Sequence, residues 1–266
     1  MDTRMTLLDI GGTFIKVSDG SQIPIRSDGS REEIAAALRK AVSGDGVSKI
    51  GIAIPGPFDY KEGIFRMEHK FAAVKGESFR ALAGVPDNVE LKFIHDVNAL
   101  LLGSICTLGL QDKNVALATI GTGLGFSYSI KGEIQMSETG SPARSLWNLP
   151  YEGGILEDKV SARGIRAAYE EKTGEKNQSA YSIAMRAYAG ETAAIEVYDN
   201  LGDTLGKALA GVLEEIGADI LLVGGQISKS LSLMRSPLKN HLDRLRVERA
   251  PEGAVFKGLS SLFEND

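Results

Sequence analysis

The 266 residues, 43% of them hydrophobic and 24% charged, suffice for one large core or two small ones, and no long stretch is hydrophilic enough to stay unfolded. A formal net charge of -5 argues against nucleic acid as the main partner, because a phosphate backbone calls for a basic surface. Cys106 is the only cysteine, which excludes an internal disulfide and a thiolate zinc site; with no secretory pattern and no apolar run of bilayer length, the expectation is a cytoplasmic protein with no membrane partner.

In chain order, Thr6-Leu7-Leu8 leads into Asp9-Ile10-Gly11-Gly12-Thr13, and Phe14-Ile15-Lys16-Val17 returns, predicting a strand, a glycine turn and a second strand. Ser30 and Glu33 form a capping-box pattern ahead of Ile34, Leu38 and Val42 at helical spacing. Ile50, Ile52 and Ile54 alternate with Gly51 and Ala53 in a short buried strand that Pro55-Gly56-Pro57 stops. Residues 58–88 carry turn signals at Lys61-Glu62-Gly63 and Pro86-Asp87-Asn88, with an element of undefined type around 78–82. A strand over 91–94 ends at His95-Asp96, and Val97, Leu100, Leu101, Ile105 and Leu108 supply the apolar face of a helix. Residues 115–120 form a strand running into Gly121-Thr122-Gly123-Leu124-Gly125; residues 126–130 return, and Lys131-Gly132 turns. Beyond Trp147 the spacing predicts helices over 160–172 and 193–216, the latter closed by Gly217. A buried strand over 219–223 follows, then Gly224-Gly225 and a helix start near Ser228.

Leu7-Leu8-Asp9-Ile10-Gly11-Gly12-Thr13 is echoed by Leu117-Ala118-Thr119-Ile120-Gly121-Thr122-Gly123. Two such copies suggest a duplicated α/β domain with one glycine loop in each half. The division is expected near Gly103, giving domains over 1–103 and 104–254, with a C-terminal helix over about 255–266 packed on the first.

Both glycine segments have the composition of a phosphate-holding turn. Backbone N–H groups must approach a phosphate closely, and glycine leaves no side chain in the way. Thr13 adds a hydroxyl donor, and Asp9 suits a Mg2+ ion held through water. An ordinary hairpin turn with a solvated aspartate would have the same residues. No Gly-Lys-Ser/Thr follows either loop, and the returning strand after Gly125 disfavours a dinucleotide fold. Asp96 stands at the end of a strand, where open α/β sheets place ligands, so it is a candidate general base as well as a candidate helix cap. Gly224 and Gly225 offer a bare surface for an adenine ring, or a plain turn. Glu138 and Glu157 are candidate acceptors for sugar hydroxyls, and His69 and His95 candidate sugar contacts, against the alternative of solvated or packed side chains.

Taken together, these segments resemble the ROK (repressor, open reading frame, kinase) family, from Leu8 to about Ser228. Asp9 to Thr13 look like its first phosphate loop and Gly121 to Gly125 like its second. Gly56 and Pro57, in Gly51-Ile52-Ala53-Ile54-Pro55-Gly56-Pro57-Phe58-Asp59, resemble the segment beside its sugar pocket. Asp96-Val97-Asn98-Ala99 is similar to the segment carrying its catalytic base, and Leu222-Val223-Gly224-Gly225 to its adenosine segment. The resemblance implies a two-domain actin/hexokinase-like ATPase of ribonuclease-H-like α/β fold, with an interdomain cleft. It also implies Mg2+-ATP and a small sugar as ligands, Asp96 as base, Glu138 and Glu157 on the sugar, and a homodimer. The family's zinc cysteines have no counterpart between Glu138 and Glu157, its histidine ligand reads Ser141, and His95 stands where an asparagine touches the sugar. No structural zinc is therefore expected, and Trp147 is expected to brace the segment Arg144-Ser145-Leu146-Trp147 by packing. Because the first loop begins at Asp9, no helix-turn-helix is expected ahead of it. The reading is an ATP-dependent kinase for glucose, an N-acetylhexosamine or a related sugar; the alternative is a non-catalytic sugar or nucleotide sensor of the same fold. A carboxylate kinase would need a cationic clamp that the sequence does not identify.

Overall fold

β1 (Arg4–Ile10) buries Leu7 and Leu8 in succession. Neighbouring strand residues point to opposite faces, so both faces of this strand are covered, as a largely parallel sheet requires. The computed structural model describes residues 4–242 and 245–264. After β1 come β2 (Phe14–Val17), β3 (Gln22–Pro24), α1 (Arg31–Val42), β4 (Val47–Ile54), β5 (Phe58–Asp59), β6 (Ile64–Phe65), α2 (Phe79–Ala83), β7 (Glu90–His95) and α3 (Asp96–Leu108). The chain continues through β8 (Val115–Ile120), β9 (Leu124–Ile130), β10 (Glu133–Ile134), β11 (Pro150–Tyr151), β12 (Gly154–Ile155), α4 (Leu156–Lys159), α5 (Ala162–Thr173), α6 (Ala180–Tyr188) and α7 (Thr192–Glu215). It closes with β13 (Ile220–Gly224), α8 (Leu231–Lys239), β14 (Arg246–Arg249) and α9 (Ala254–Ser261).

Two compact units emerge. The first comprises residues within 1–109, Met136–Ala143 and 252–266; the second, Leu110–Gln135 and Arg144–Pro251. The first sheet has the order β3-β2-β1-β4-β7 and the second β10-β9-β8-β13-β14. In each, a glycine turn joins two antiparallel strands, and the first of these pairs in parallel with a later strand. The internal echo read in the sequence is thus a repeat of topology: β1 and β8 hold equivalent places. The division expected at Gly103 falls inside α3, whereas the units part at Gly109, where φ is +64° and the helix ends. Residues 265–266 of the expected C-terminal helix lie outside the described residues.

In the first unit the Ser30 capping box forms as expected. Glu33 N–H donates to Ser30 Oγ at 3.3 Å and Ser30 N–H to Glu33 Oε2 at 2.8 Å, an arrangement worth about 1 kcal/mol. Ile34 and Leu38 of α1 are fully buried against one face of the sheet. The other face is covered by α9, with Leu7, Ala53, Ile94, Ala99 and Leu259 in one cluster. α3 meets α9 backbone to backbone: a Cβ at Gly103 would lie 1.6 Å from Ala254 O, and one at Gly258 would lie 2.1 Å from Ala99 O. Of the expected apolar face of α3, Val97, Leu101 and Ile105 are buried and two residues depart. Leu100 is only half-buried and Leu108 is 36% exposed, because the helix docks through its small residues Ala99 and Gly103.

The second unit packs around α7, whose Leu201, Leu205, Leu209 and Leu213 are buried. Gly202 and Gly206 admit α8, since their Cβ atoms would stand 2.3 and 2.8 Å from Met234 O and Leu238 O. α6 and β14 were not expected from the sequence. The buried face of α6 is mostly alanine around Ile183 while its larger Tyr181, Met185 and Tyr188 are exposed, and β14 buries Val247 alone. The helix start expected near Ser228 is a 3-10 turn over Gln226–Ser230, and α8 begins after it.

Gly103→Ala and Gly258→Ala should each lower stability by about 1–3 kcal/mol or more through overpacking. Gly211→Ala, in an exposed and open part of α7, should raise it by about 0.5–1 kcal/mol. Urea unfolding of the variants checks both signs.

Candidate active site

The first glycine turn closes upon itself. β1 and β2 pair with Asp9 opposite Lys16 and Ile10 opposite Ile15, and Gly11 N–H donates to Phe14 O at 2.9 Å. Ser27 N–H donates to Gly12 O at 3.1 Å and Ile25 N–H to Thr13 O at 3.0 Å. Among the described residues, the Gly12 and Thr13 N–H groups have no acceptor. Gly11 and Gly12 keep ordinary negative φ, so what they supply is room: a Cβ on Gly12 would stand 3.3 Å from Ser27 Oγ.

The second turn repeats this construction. Gly121 N–H donates to Gly123 O at 3.0 Å, and Gly121 O accepts the Ala162 N–H at 2.8 Å. Leu124 N–H donates to Glu157 Oε2 at 2.9 Å, and Gly125 lies in β9 opposite Thr119. Among the described residues the Thr122 and Gly123 N–H groups have no acceptor. Pairs of adjacent N–H groups without an acceptor suit an anion. Gly225, with φ +80°, is required for another reason. A Cβ there would lie 2.3 Å from Ile120 O, so it lets β13 run on beside the second turn, while Gly224 is buried opposite Thr119.

Asp96 is the first residue of α3, and the cap is His95, not Asp96. His95 Nδ1 lies 2.8 Å from Asp96 Oδ1, and Val97 N–H donates to the same oxygen at 2.8 Å. The same Val97 N–H lies 3.3 Å from His95 Nδ1, the acceptor of the cap, so Nδ1 bonds Oδ1 only in the form that carries a proton there; Oδ2 has no protein partner among the described residues. The side chain is 37% exposed, so that oxygen is reachable. Burial pushes the Asp96 carboxyl up, but the His95 imidazole, the Val97 N–H and the charge of Lys70 outweigh it and hold it below the usual aspartate value.

Tyr60 and Gly56 complete this corner. Tyr60 donates to Ile54 O at 3.1 Å, and its ring centroid is 6.0 Å from that of His95. A Cβ on Gly56 would stand 3.3 Å from Tyr60 Oη and 3.5 Å from the His95 ring. Burial, reinforced by the Asp96 charge, pushes the Tyr60 phenol up, so it remains a donor.

Asp9 is coupled to the same charge. Burial raises its carboxyl, Lys16 at 2.9 Å lowers it, and Asp96 raises it again, with a net rise.

Glu138 sits on the hydroxyl-rich turn Ser137-Glu138-Thr139-Gly140-Ser141, closed by Ser137 N–H to Ser141 O at 2.9 Å and by the Ser137–Thr139 hydroxyl pair at 2.9 Å. Fully buried Asn98 of α3 donates to Gly140 O at 3.3 Å, tying this turn to the helix of Asp96. Glu138 and Pro57 line one cavity of about 420 Å³ with Asp59, Arg66 and Ser141. His69, His95 and Asp96 are not in its wall. His69 is exposed beside Glu68; its neighbour Lys70, not singled out in the sequence, is the residue that acts on Asp96. Glu157 faces the second glycine turn and Arg163, at 2.9 and 3.1 Å.

The family model for the ROK family matches residues 24–144 and 150–259. The chain belongs to the ROK family. A glucokinase of Halalkalibacterium halodurans is 26% identical over 94% of this chain and 88% of its own length. Among solved structures, a ROK family glucokinase from Streptomyces griseus, in complex with glucose and AMPPNP, aligns with a TM-score of 0.80 at 20% identity, covering 98% of this chain and 99% of that one. A ROK family transcriptional regulator, a homologue of the E. coli MLC protein, aligns at 0.79 and 19% identity over 96% of this chain and 77% of its own. The shared fold is that of the actin/hexokinase-like ATPases.

Within this ROK chain, the segment after the Glu138 turn is not braced as expected. Trp147 is 46% exposed; Leu146 is the buried side chain, Arg144 pairs with Glu215 at 2.8 Å, and Trp147 contributes its carbonyl to Glu157 N–H. An indole was the obvious apolar candidate, but its neighbour points inward.

Because its carboxyl is held down, Asp96 should titrate below about 3.9 in NMR of the folded protein. It then stays ionised throughout pH 5–8, so any loss of turnover on acidification from pH 7 to 5 arises elsewhere. His95→Ala leaves burial less opposed and should move the titration upward; an unmoved titration would contradict the account of its cause.

Proposed function

We propose that this chain is an ATP-dependent sugar kinase in which Asp96 acts as general base. The observation that carries the reading is the repeated construction of the two glycine turns, each offering two adjacent unpaired N–H groups, together with an ionised, reachable carboxylate at the end of β7.

Gly12, Thr13, Thr122 and Gly123 take phosphate oxygens, with Gly11 and Gly121 closing the turns and Gly125 continuing the second. Asp9 fits the task of holding Mg2+ through water: it is a hard oxygen donor, partly buried and electrostatically linked to Asp96. When bound, the ion neutralises phosphate charge. In this reading Gly56, Pro57, His95 and Glu138 contact the sugar, and Gly224 and Gly225 the adenosine. Asp96 Oδ2 accepts the proton of one sugar hydroxyl, whose oxygen forms the new bond to the γ-phosphorus as the bond to the β-phosphate oxygen breaks and ADP leaves. Phosphoryl transfer through a loose transition state asks the base chiefly to orient the hydroxyl. The two bonds to Oδ1, from His95 and Val97, fix that orientation.

The test is ADP release from Mg2+-ATP with a panel of hexoses, N-acetylhexosamines and β-glucosides, glucose first. Sugar-dependent release should appear, and Asp96→Asn should reduce it by about 10²- to 10⁴-fold while ATP binding persists. Undiminished turnover in that variant sinks the assignment of Asp96. A folded protein that binds ATP but responds to no sugar would favour a non-catalytic sensor.

A further inference from the structure

Asp9 suits a metal, yet a cation of the chain itself already holds it. Lys16 Nζ lies 2.9 Å from Asp9 Oδ2. The two residues are directly opposed in the register of β1 and β2, so the pairing is built into the hairpin. Only 19% of the Asp9 side chain is exposed, against 51% of Lys16. The carboxylate is thus the fixed member of the pair, and the ammonium, on a flexible four-carbon stem, is the member free to leave.

The second glycine turn is built without such a pair. Thr119 takes the place of Asp9 there and Gly125 that of Lys16, opposed in the register of β8 and β9 as Asp9 and Lys16 are in the first. The second turn still closes on itself and still has two adjacent N–H groups without an acceptor among the described residues. An ion pair present in one copy and absent from the other therefore serves what the first turn binds, not how it is made. The charge of Asp96 also reaches Asp9. Two coupled carboxylates attract divalent cations whether or not a nucleotide is present. Lys16 opposes this at Asp9 and Lys70 at Asp96. The Gly12 and Thr13 N–H groups lie in the stretch that joins Asp9 to Lys16, and a phosphate bound by them would compete with Asp9 for the ammonium.

We propose that Lys16 guards Asp9: without nucleotide its ammonium keeps divalent cations off the carboxylate, and phosphates entering the first turn draw it away, so that metal and nucleotide are bound together. This rests on the kinase reading for the phosphates, whereas the guarding of Asp9 is a property of the hairpin alone. The ammonium passes from one anion to the other with its protons unchanged.

The experiment follows the line broadening that Mn2+ causes at the amides of residues 9–13 without nucleotide, and the affinity for AMPPNP in EDTA. Lys16→Met should raise Mn2+ affinity at these amides about tenfold, the effect of removing one nearby charge. Lys16→Arg should stay near the wild type, and adding Asp9→Asn to Lys16→Met should abolish the gain. Lys40→Met, which deletes an exposed lysine of α1, should leave Mn2+ binding unchanged. Without metal, Lys16→Met should weaken AMPPNP about tenfold, the loss expected of one charge-assisted bond. Unchanged broadening in Lys16→Met, a gain that survives Asp9→Asn, or metal-free AMPPNP binding that ignores Lys16→Met overturns the proposal. Failure of the wild type to bind AMPPNP under any condition would instead remove the kinase reading, while the Mn2+ measurement still decides whether Lys16 guards Asp9.

Discussion

The self-closure of each glycine turn is the constraint on which the rest of the site depends. A main-chain N–H away from water needs an acceptor, and Gly11 and Gly121 find theirs within their own turns. The next two N–H groups of each turn have no acceptor among the described residues. Two such groups attract an anion without any charged side chain. A chain with a net charge of -5 can thus present local positive potential at two points without a basic surface.

Around Asp96 the decisive quantity is a contest between burial and partners. Burial is the largest single influence and pushes the carboxyl up; the neighbouring His95, Val97 and Lys70 together outweigh it. The histidine that stands in place of the asparagine seen in the family pattern therefore has a local electrostatic consequence, since it bonds the base directly. Asn98, two residues further along α3, carries the geometry onward to the Glu138 turn through Gly140 O.

Much of this was legible in the sequence. The Ser30 cap, the strand of alternating isoleucines, the long leucine face of α7 and the paired glycine turns all advertise themselves through local chemistry of short range. What escaped were relations between distant residues. β14 carries too few large apolar side chains to show a period, and in α3 the expected leucines at 100 and 108 are less buried than Ala99 and Gly103, through which the helix docks. Lys70 acts on Asp96, and the charge of Asp96 on Tyr60, across gaps in sequence that no motif records. Trp147 was favoured for its size, but size does not say which of two neighbours points inward.

The contact of α3 with α9 also orders events in time. Residues 254–261 belong with the helix that begins at Asp96, yet the whole of residues 144–251, the bulk of the other unit, lies between them in the chain. A ribosome delivers the polypeptide from its N-terminus, so the sheet bearing Asp96 waits with one face uncovered while its neighbour is made. The glycine seam at Gly103 and Gly258 closes only afterwards, so the scaffold of the base is completed only once its neighbour has been made.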